Sequence, residues 1–240
     1  MSTLRTYGSA YRVFTVVIAA WLTAVIVAGL VLEIPRLNIL EETARNLYFH
    51  VPMWFTLMGG MFVSAYHSAR VLGSGRLVHD VRAEQAALVA MAFGLLGLVT
   101  GMVWARFTWY VGTGKWWNFD PKQSMAAVLL LIYGAYFVLR SSIEEPKKRA
   151  RIAAVYNLFA VVTVPFLLYI LPRQTQSLHP GSEGNPAFSQ TDLAPEMRII
   201  FYPAVLGFLA LFWWIYTQRV RTTVIERTLD GSLEPDRLPA

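Results

Sequence analysis

Histidines are the side chains of this chain best suited to hold a metal, because there are four of them and no cysteine. The lack of cysteine removes disulfides, thiol relays, iron–sulfur clusters and thiolate ligation of haem. His50 and His67 fall in one apolar segment, and their spacing corresponds to about 25 Å along a helix, so they cannot share one metal. His79, beside Asp80, is interpreted as a solvated surface residue, and His179 lies in a long polar segment.

A second candidate feature is the aromatic segment, residues 104–124, with the sequence WARFTWYVGTGKWWNFDPKQS. Tryptophans at a membrane interface usually serve as anchors, and anchoring is the alternative interpretation of Trp104, Trp109, Trp213 and Trp214. The cluster at 116–120 fits anchoring less well, because a carboxylate after three aromatic rings gains nothing at a lipid boundary. An aromatic surface with charges at its rim suits a large planar ligand that carries anionic groups.

The composition places these residues in a membrane protein. Hydrophobic residues make up 55% of the chain and charged residues 15%, and the mean hydropathy is positive, which is outside the usual balance of a soluble domain. The net charge of +6 is interpreted as basic residues on cytoplasmic loops rather than as a nucleic-acid surface. There is no Walker motif, so energy from ATP would come from another chain.

The apolar runs predict an all-α fold, a polytopic bundle of six transmembrane helices that forms a single integral membrane domain over residues 1–240. A span needs about 20 apolar residues. Such runs occur at about 13–32, 47–72, 85–104, 124–140, 152–171 and 198–218.

Basic residues predict the orientation, because cytoplasmic loops are enriched in Lys and Arg. Most of these residues lie in or beside the N-terminal tail, the loops 73–84 and 141–151, and the basic tail 219–240. Both termini are therefore predicted to be cytoplasmic. The segments 33–46, 105–123 and 172–197 are predicted to face outward, and the first is expected to carry a short helix capped near Thr43.

His50 and His179 consequently share the outer face with the aromatic segment. Two imidazoles from different segments could ligate one haem iron from opposite sides, while indole rings stack on the porphyrin. The propionates need cations, for which the candidates are Arg45, Arg106, Lys115, Lys122 and Arg173. Asn46, His50 and Trp54 recur every fourth residue and would share one helix face, although Pro52 could instead start or kink the helix there.

These segments resemble a known family. GTGKWWNFDPKQS before an apolar span is similar to the tryptophan-rich WWD signature of the haem-handling proteins of cytochrome c biogenesis, and RNLYFHVPMWF is similar to their histidine segment. The Ser-Leu-His before the sixth span resembles their second histidine segment. With six spans and about 240 residues, the chain is most similar to the haem exporter protein C branch.

The resemblance implies a transport and haem-delivery protein rather than an enzyme, in the bacterial inner membrane, with its haem site on the periplasmic face. It implies haem b as bound cargo, His50 and His179 as axial ligands, and a shelf formed by Trp116, Trp117, Phe119 and Asp120 together with Trp109. The implied partners are an ABC-type ATPase, its membrane subunit, a small single-span accessory protein and a periplasmic haem chaperone.

Two departures from the family pattern leave the branch open. Phe119 stands where a further Trp is usual, and Asp120-Pro121-Lys122 leans toward the haem-ligating synthetases. The alternatives are therefore a cytochrome c synthetase component, a b-type cytochrome electron-transfer subunit, and an assembly subunit without a ligand. Against the b-type cytochrome alternative, no other span-embedded histidine lies at the depth of His50.

Overall fold

The computed structural model describes residues 8–35, 40–109, 115–179 and 193–233. Over those ranges the chain is helical and contains no strand, as the sequence predicted. The tip of the aromatic segment, with Tyr110, and the glycines and proline of 181–186 lie outside the described residues.

The described residues form six long helices. Their bounds are α1 Ser9–Val31, α2 Leu47–Ser74, α3 Leu77–Thr108, α4 Pro121–Ser141, α5 Pro146–Pro165 and α6 Pro195–Leu229. A 3₁₀ turn, Glu41–Asn46, precedes α2, which confirms the expected short helix, but its N-cap is Leu40 and Thr43 lies inside the turn. Beyond α5 the chain continues through a π turn, Phe166–Ile170, and a 3₁₀ turn, Leu171–Arg173.

Five of these helices are long and apolar enough to cross a membrane: α1, α3, α4, α5 with its extension, and α6. Helix α2 is not one of these five helices. It packs against α3, α5 and α6. Its buried polar side chains include Thr56, Ser64 and Ser68, and they face protein rather than lipid. A helix enclosed in this way does not need a continuous apolar surface.

Local sequence signals set the helix ends. The Asp120 and Glu145 carboxylates cap α4 and α5, and each is followed by proline at the first helical position, where its missing N–H costs nothing. Gly75 ends α2 in the left-handed conformation, with φ of 66°, which glycine adopts without steric strain.

Glycines allow the central helices to pack closely. A Cβ added to Gly60 would lie 2.6 Å from the Phe212 ring, and one added to Gly94 would lie 2.2 Å from Leu57 Cδ1. Both contacts belong to the main core between α2, α3, α4 and α6. These two glycines therefore allow the helices to pack closely.

The far end of the bundle differs from the prediction of a solvated loop over 73–84. Helix α3 already begins at Leu77, and His79 is 6% exposed, with its Nδ1 atom 3.2 Å from His67 Nδ1. Asp80 is also buried and binds Arg140 through both oxygens, at 2.6 and 3.0 Å. The interpretation of His79 as a surface residue was therefore wrong. Helix α3 begins two residues before His79, and the side chains of His79 and Asp80 are buried, the latter against Arg140.

Candidate functional site

One large cavity of about 650 Å³ lies near the end of the bundle where α3 ends and α4 begins. Its walls come from α2, α3, the start of α4, the turns after α5, the start of α6 and His179. The wall is mostly apolar, and the volume is within the range typical of small-molecule sites. The polar and charged residues that line it are Asn46, His50, Lys122, Gln123, Arg173 and His179.

His50 reaches the cavity from the second turn of α2. The helix begins at Leu47, five residues before Pro52, so Pro52 neither starts nor interrupts it. Asn46, His50 and Trp54 all line the cavity, which confirms the predicted shared face.

Hydrogen bonds fix the tautomer of His50. Its Nδ1 atom lies 3.1 Å from the Thr100 hydroxyl oxygen. That hydroxyl donates its own proton to the carbonyl of Leu96 or Gly97, at 2.9 and 3.0 Å, so its oxygen accepts from the imidazole N–H. The Trp54 indole N–H, which can only donate, lies 3.3 Å from Nε2. The Nε2 atom therefore carries the lone pair.

Two glycines on α3 provide the surface on which these rings rest. A Cβ at Gly101 would lie 2.7 Å from His50 Cε1, and a Cβ at Gly97 would lie 3.0 Å from Trp54 Cε2. They are four residues apart and therefore stack on one face of the helix. Any larger side chain at either position would displace a ring that lines the cavity.

His179 lies against the end of α3. Its ring packs edge-on to Trp109, with centroids 5.0 Å apart, and obliquely on Trp104, with centroids 5.9 Å apart. Thr100, which holds His50, and Trp104, which contacts His179, are one helical turn apart, or about 6 Å along the axis. The two imidazoles therefore contact adjacent turns of the same helix.

Asp120 anchors His179 and the short segment before it. One carboxylate oxygen lies 2.9 Å from His179 Nδ1 and also accepts from the backbone N–H of Lys122, at 3.0 Å. The other oxygen accepts from the Ser177 hydroxyl and the Leu178 backbone N–H, at 2.8 and 2.7 Å. A carboxylate can only accept, so His179 Nδ1 carries a proton, and in the neutral imidazole Nε2 carries the lone pair.

The Asp120 carboxylate is ionised in this arrangement. Burial raises its pKa, but the hydrogen bonds from His179, Leu178 and Ser177 outweigh burial and hold the pKa well below its usual range. One carboxylate therefore caps α4 and fixes the orientation of an imidazole from another segment. Carboxylate–histidine pairs of this kind orient metal-ligating histidines.

The aromatic residues before Asp120 lie outside the cavity wall. Gln123 holds this segment by donating to the Trp116 carbonyl and accepting from the Asn118 N–H, both at 3.1 Å. The Trp116 and Phe119 side chains are 51% and 82% exposed. Phe119 also has a φ of 53°, a strained conformation for a bulky residue. Trp117 packs edge-on to Phe119, with ring centroids 6.3 Å apart.

Two of the candidate cations, Lys122 and Arg173, line the cavity. Arg173 donates to the Tyr169 hydroxyl at 2.8 Å, and its guanidinium stacks on the same ring. Arg45 instead binds the carbonyls of Gly29 and Leu32 at the end of α1. Arg106 is not among the residues that form the wall.

Several residues that shape the site were not predicted. Thr100 and Gln123 each bind a group that builds the site, and Ser177 supports Asp120. The spacing of Gly97 and Gly101 was a usable signal, since it predicts a smooth stripe on the face of α3 that carries Thr100. No pattern in the sequence indicates which distant groups Gln123 and Ser177 reach.

The arrangement suits ligation of a metal held in a flat, apolar molecule. Each imidazole is oriented by a hydrogen bond at Nδ1 and has a lone pair at Nε2. No cluster of three or more metal-binding side chains occurs among the described residues, so the protein alone does not offer a closed site for a bare ion there. A group that already occupies most of the metal's coordination positions matches two imidazoles in an apolar cavity.

Comparison with known proteins shows the family of the chain. The family model described as "Heme exporter protein C" (CcmC) matches residues 2–233. Proteins named heme exporter protein C from Paracoccus denitrificans and Rhodobacter capsulatus are 27% and 28% identical to the chain, over 80% and 82% of its length and 77% and 79% of theirs. A shorter stretch, 30% of the chain, is 40% identical to 23% of a cytochrome c biogenesis protein CcsA from Prochlorococcus marinus. Because the family model matches nearly the whole sequence, the chain belongs to the heme exporter protein C family.

Proposed function

We propose that this protein binds haem b as cargo in the cavity and transfers it to a periplasmic haem chaperone during cytochrome c maturation. The observation that carries the proposal is that His50 and His179, from distant parts of the chain, line one cavity. Their Nε2 lone pairs would ligate the iron, since haem iron accepts axial imidazoles. The family name of the relatives supports haem as the ligand.

The cavity wall supports the rest of the haem. Leu98, Trp104 and Leu168 are among the apolar residues that line it, and they suit the macrocycle. Lys122 and Arg173 in the same wall suit the two propionates, which are anionic and form strong bonds with such cations. Trp116 and Phe119, which are exposed beside this site, would cover the outer edge of the haem or contact the chaperone. Trp109 packs against His179, and Trp117 packs against Phe119.

The proposed setting is the bacterial inner membrane. Helix α2, enclosed by the others, is the sixth span beside the five apolar ones, which puts both termini on the cytoplasmic side and the cavity on the periplasmic side. The basic residues near the far end of the bundle, including Lys147, Lys148 and Arg149 at the start of α5, support this orientation. The proposed partners are an ABC-type ATPase, its membrane subunit, a single-span accessory protein and the chaperone.

Absorption spectra of the purified protein in detergent test the proposal. Haem bound by two imidazoles gives a low-spin spectrum before and after reduction with dithionite. His50→Ala and His179→Ala should each abolish that spectrum or convert it to a high-spin one. His67→Ala, at the far end of the bundle, is the matched control and should leave it unchanged. An unchanged low-spin spectrum in both site variants would refute the ligand assignment.

Delivery rather than catalysis is part of the proposal. Co-expression with an apocytochrome but no other maturation protein should give no covalent cytochrome. Formation of covalent cytochrome under those conditions would instead assign haem ligation to this chain, in line with Lys122 after Asp120-Pro121.

A further inference from the structure

Trp54 occupies the nitrogen of His50 that the proposed function needs for iron. The indole N–H donates to Nε2 at 3.3 Å, and the two rings meet edge-on with centroids 6.1 Å apart. On the other side of the imidazole, Nδ1 is held by Thr100. Both nitrogens of His50 are therefore engaged.

The helix that carries Trp54 and His50 brings the two rings together. Trp54 follows His50 by four residues, so both side chains extend from the same face of α2. Gly97 on α3 leaves space for the indole, since a Cβ there would lie 3.2 Å from its Nε1 atom. Both rings also line the cavity, so the indole can leave the imidazole by turning within an existing space.

We propose that Trp54 caps the iron-binding nitrogen of His50 in the haem-free protein and competes with iron for it. This inference rests on the proposed function. When haem binds, a bond forms between iron and Nε2 and the indole N–H···N hydrogen bond breaks, with no proton transferred. When haem leaves, the indole N–H returns to Nε2. Trp54 is thus a positioning residue that weakens the hold on a cargo the protein must release.

The size of the competition follows from the hydrogen bond that is lost. A neutral hydrogen bond contributes a net of about 1 kcal/mol in proteins, which corresponds to about a fivefold change in a binding constant. Phenylalanine at position 54 keeps an aromatic ring but has no N–H. Trp54→Phe should therefore bind haem about fivefold more tightly than the wild type and release it more slowly.

A double-mutant cycle assigns the effect to His50. Haem titrations would compare wild type, Trp54→Phe, His50→Ala and the double variant, with Trp213→Phe as the control, because Trp213 lies on α6 and is not among the residues that line the cavity. The gain from Trp54→Phe should disappear when His50 is absent, and Trp213→Phe should show no gain. Equal or weaker binding by Trp54→Phe, or a gain that persists without His50, would overturn the proposal.

A measurement on the haem-free protein separates this inference from the proposed function. In ¹⁵N-tryptophan-labelled protein, the indole N–H signal that is missing from Trp54→Phe belongs to Trp54. His50→Ala should shift that signal and speed its exchange with D₂O about fivefold. An unchanged signal would refute the cap whatever the haem result, whereas an unchanged haem spectrum in His50→Ala would refute only the iron ligand.

Discussion

Asp120→Asn is the most informative single change at this site, because it keeps the shape of the side chain and alters only its hydrogen bonding. The carboxylate accepts from four donors: His179 Nδ1, the Ser177 hydroxyl and the backbone N–H groups of Leu178 and Lys122. An amide has one accepting oxygen and one donating NH₂ group. Whichever way the amide is oriented, its NH₂ group faces donors.

The expected loss can be worked out from the bond to His179. If the amide oxygen stays with Ser177 and Leu178, its NH₂ group faces the imidazole. His179 must then rotate away, or shift its proton from Nδ1 to Nε2 and lose the lone pair that would bind iron. A hydrogen bond to a charged group contributes about 1.5–3 kcal/mol, and changes to residues that orient a metal ligand cost about 10–100-fold in affinity. Since about 1.4 kcal/mol is tenfold, the two estimates agree.

The assay is a haem titration of the purified protein, followed by absorbance. Glu145→Gln is the matched control, since Glu145 caps α5 as Asp120 caps α4 and is far from the cavity. Asp120→Asn should bind haem about 10–100-fold more weakly, and Glu145→Gln should bind normally. Affinity within twofold of the wild type for Asp120→Asn, or an equal loss in Glu145→Gln, would refute a specific role for the Asp120–His179 bond.

Two further predictions concern packing and ionisation. Gly101→Ala should displace the His50 ring, because the new Cβ would lie 2.7 Å from Cε1, and should weaken haem binding at least tenfold. The control Gly134→Ala, whose new Cβ would have nothing within 4 Å, should leave haem binding unchanged. Normal binding by Gly101→Ala would contradict the proposed packing of His50 on Gly101. The pKa of Asp120 is lower in the folded protein than the ordinary carboxyl pKa of about 3.9. The stability that the ionised carboxylate contributes is therefore fully present above that ordinary pKa. It is lost only as the pH falls further, through the pKa of Asp120 in the folded protein. Infrared difference spectra between wild type and Asp120→Asn should therefore show no protonated carboxyl from pH 8 down to about 4, and a protonated band near pH 6 would refute the assignment.

The sequence predicted much of the fold because membrane helices follow from local chemistry. Long apolar runs predicted six spans, and five of the helices are long and apolar enough to cross a bilayer. The Asp-Pro and Glu-Pro pairs mark the starts of α4 and α5. Helix ends beyond the apolar runs were predicted poorly. Helix α3 begins at Leu77, and its Asp80 has a buried partner in Arg140. No local pattern shows a contact between residues so far apart in the chain.

The candidate site was likewise predicted only in part. Residue types left four histidines as metal ligands, since the chain has no cysteine, and the predicted orientation of the spans singled out His50 and His179. The helical repeat put Asn46, His50 and Trp54 on one face. The sequence could not assign a task to Asp120, which depends on the approach of Ser177, Leu178 and His179 from a segment more than 50 residues away.

What the sequence determined by itself was therefore the set of helices and the chemistry of the side chains, because both depend on neighbours along the chain. What the tertiary structure decided was which nitrogen of each imidazole carries a proton, which cations line the cavity and which aromatic rings stay outside it. Those properties arise from distances between residues on different helices, and such distances are fixed only when the helices pack.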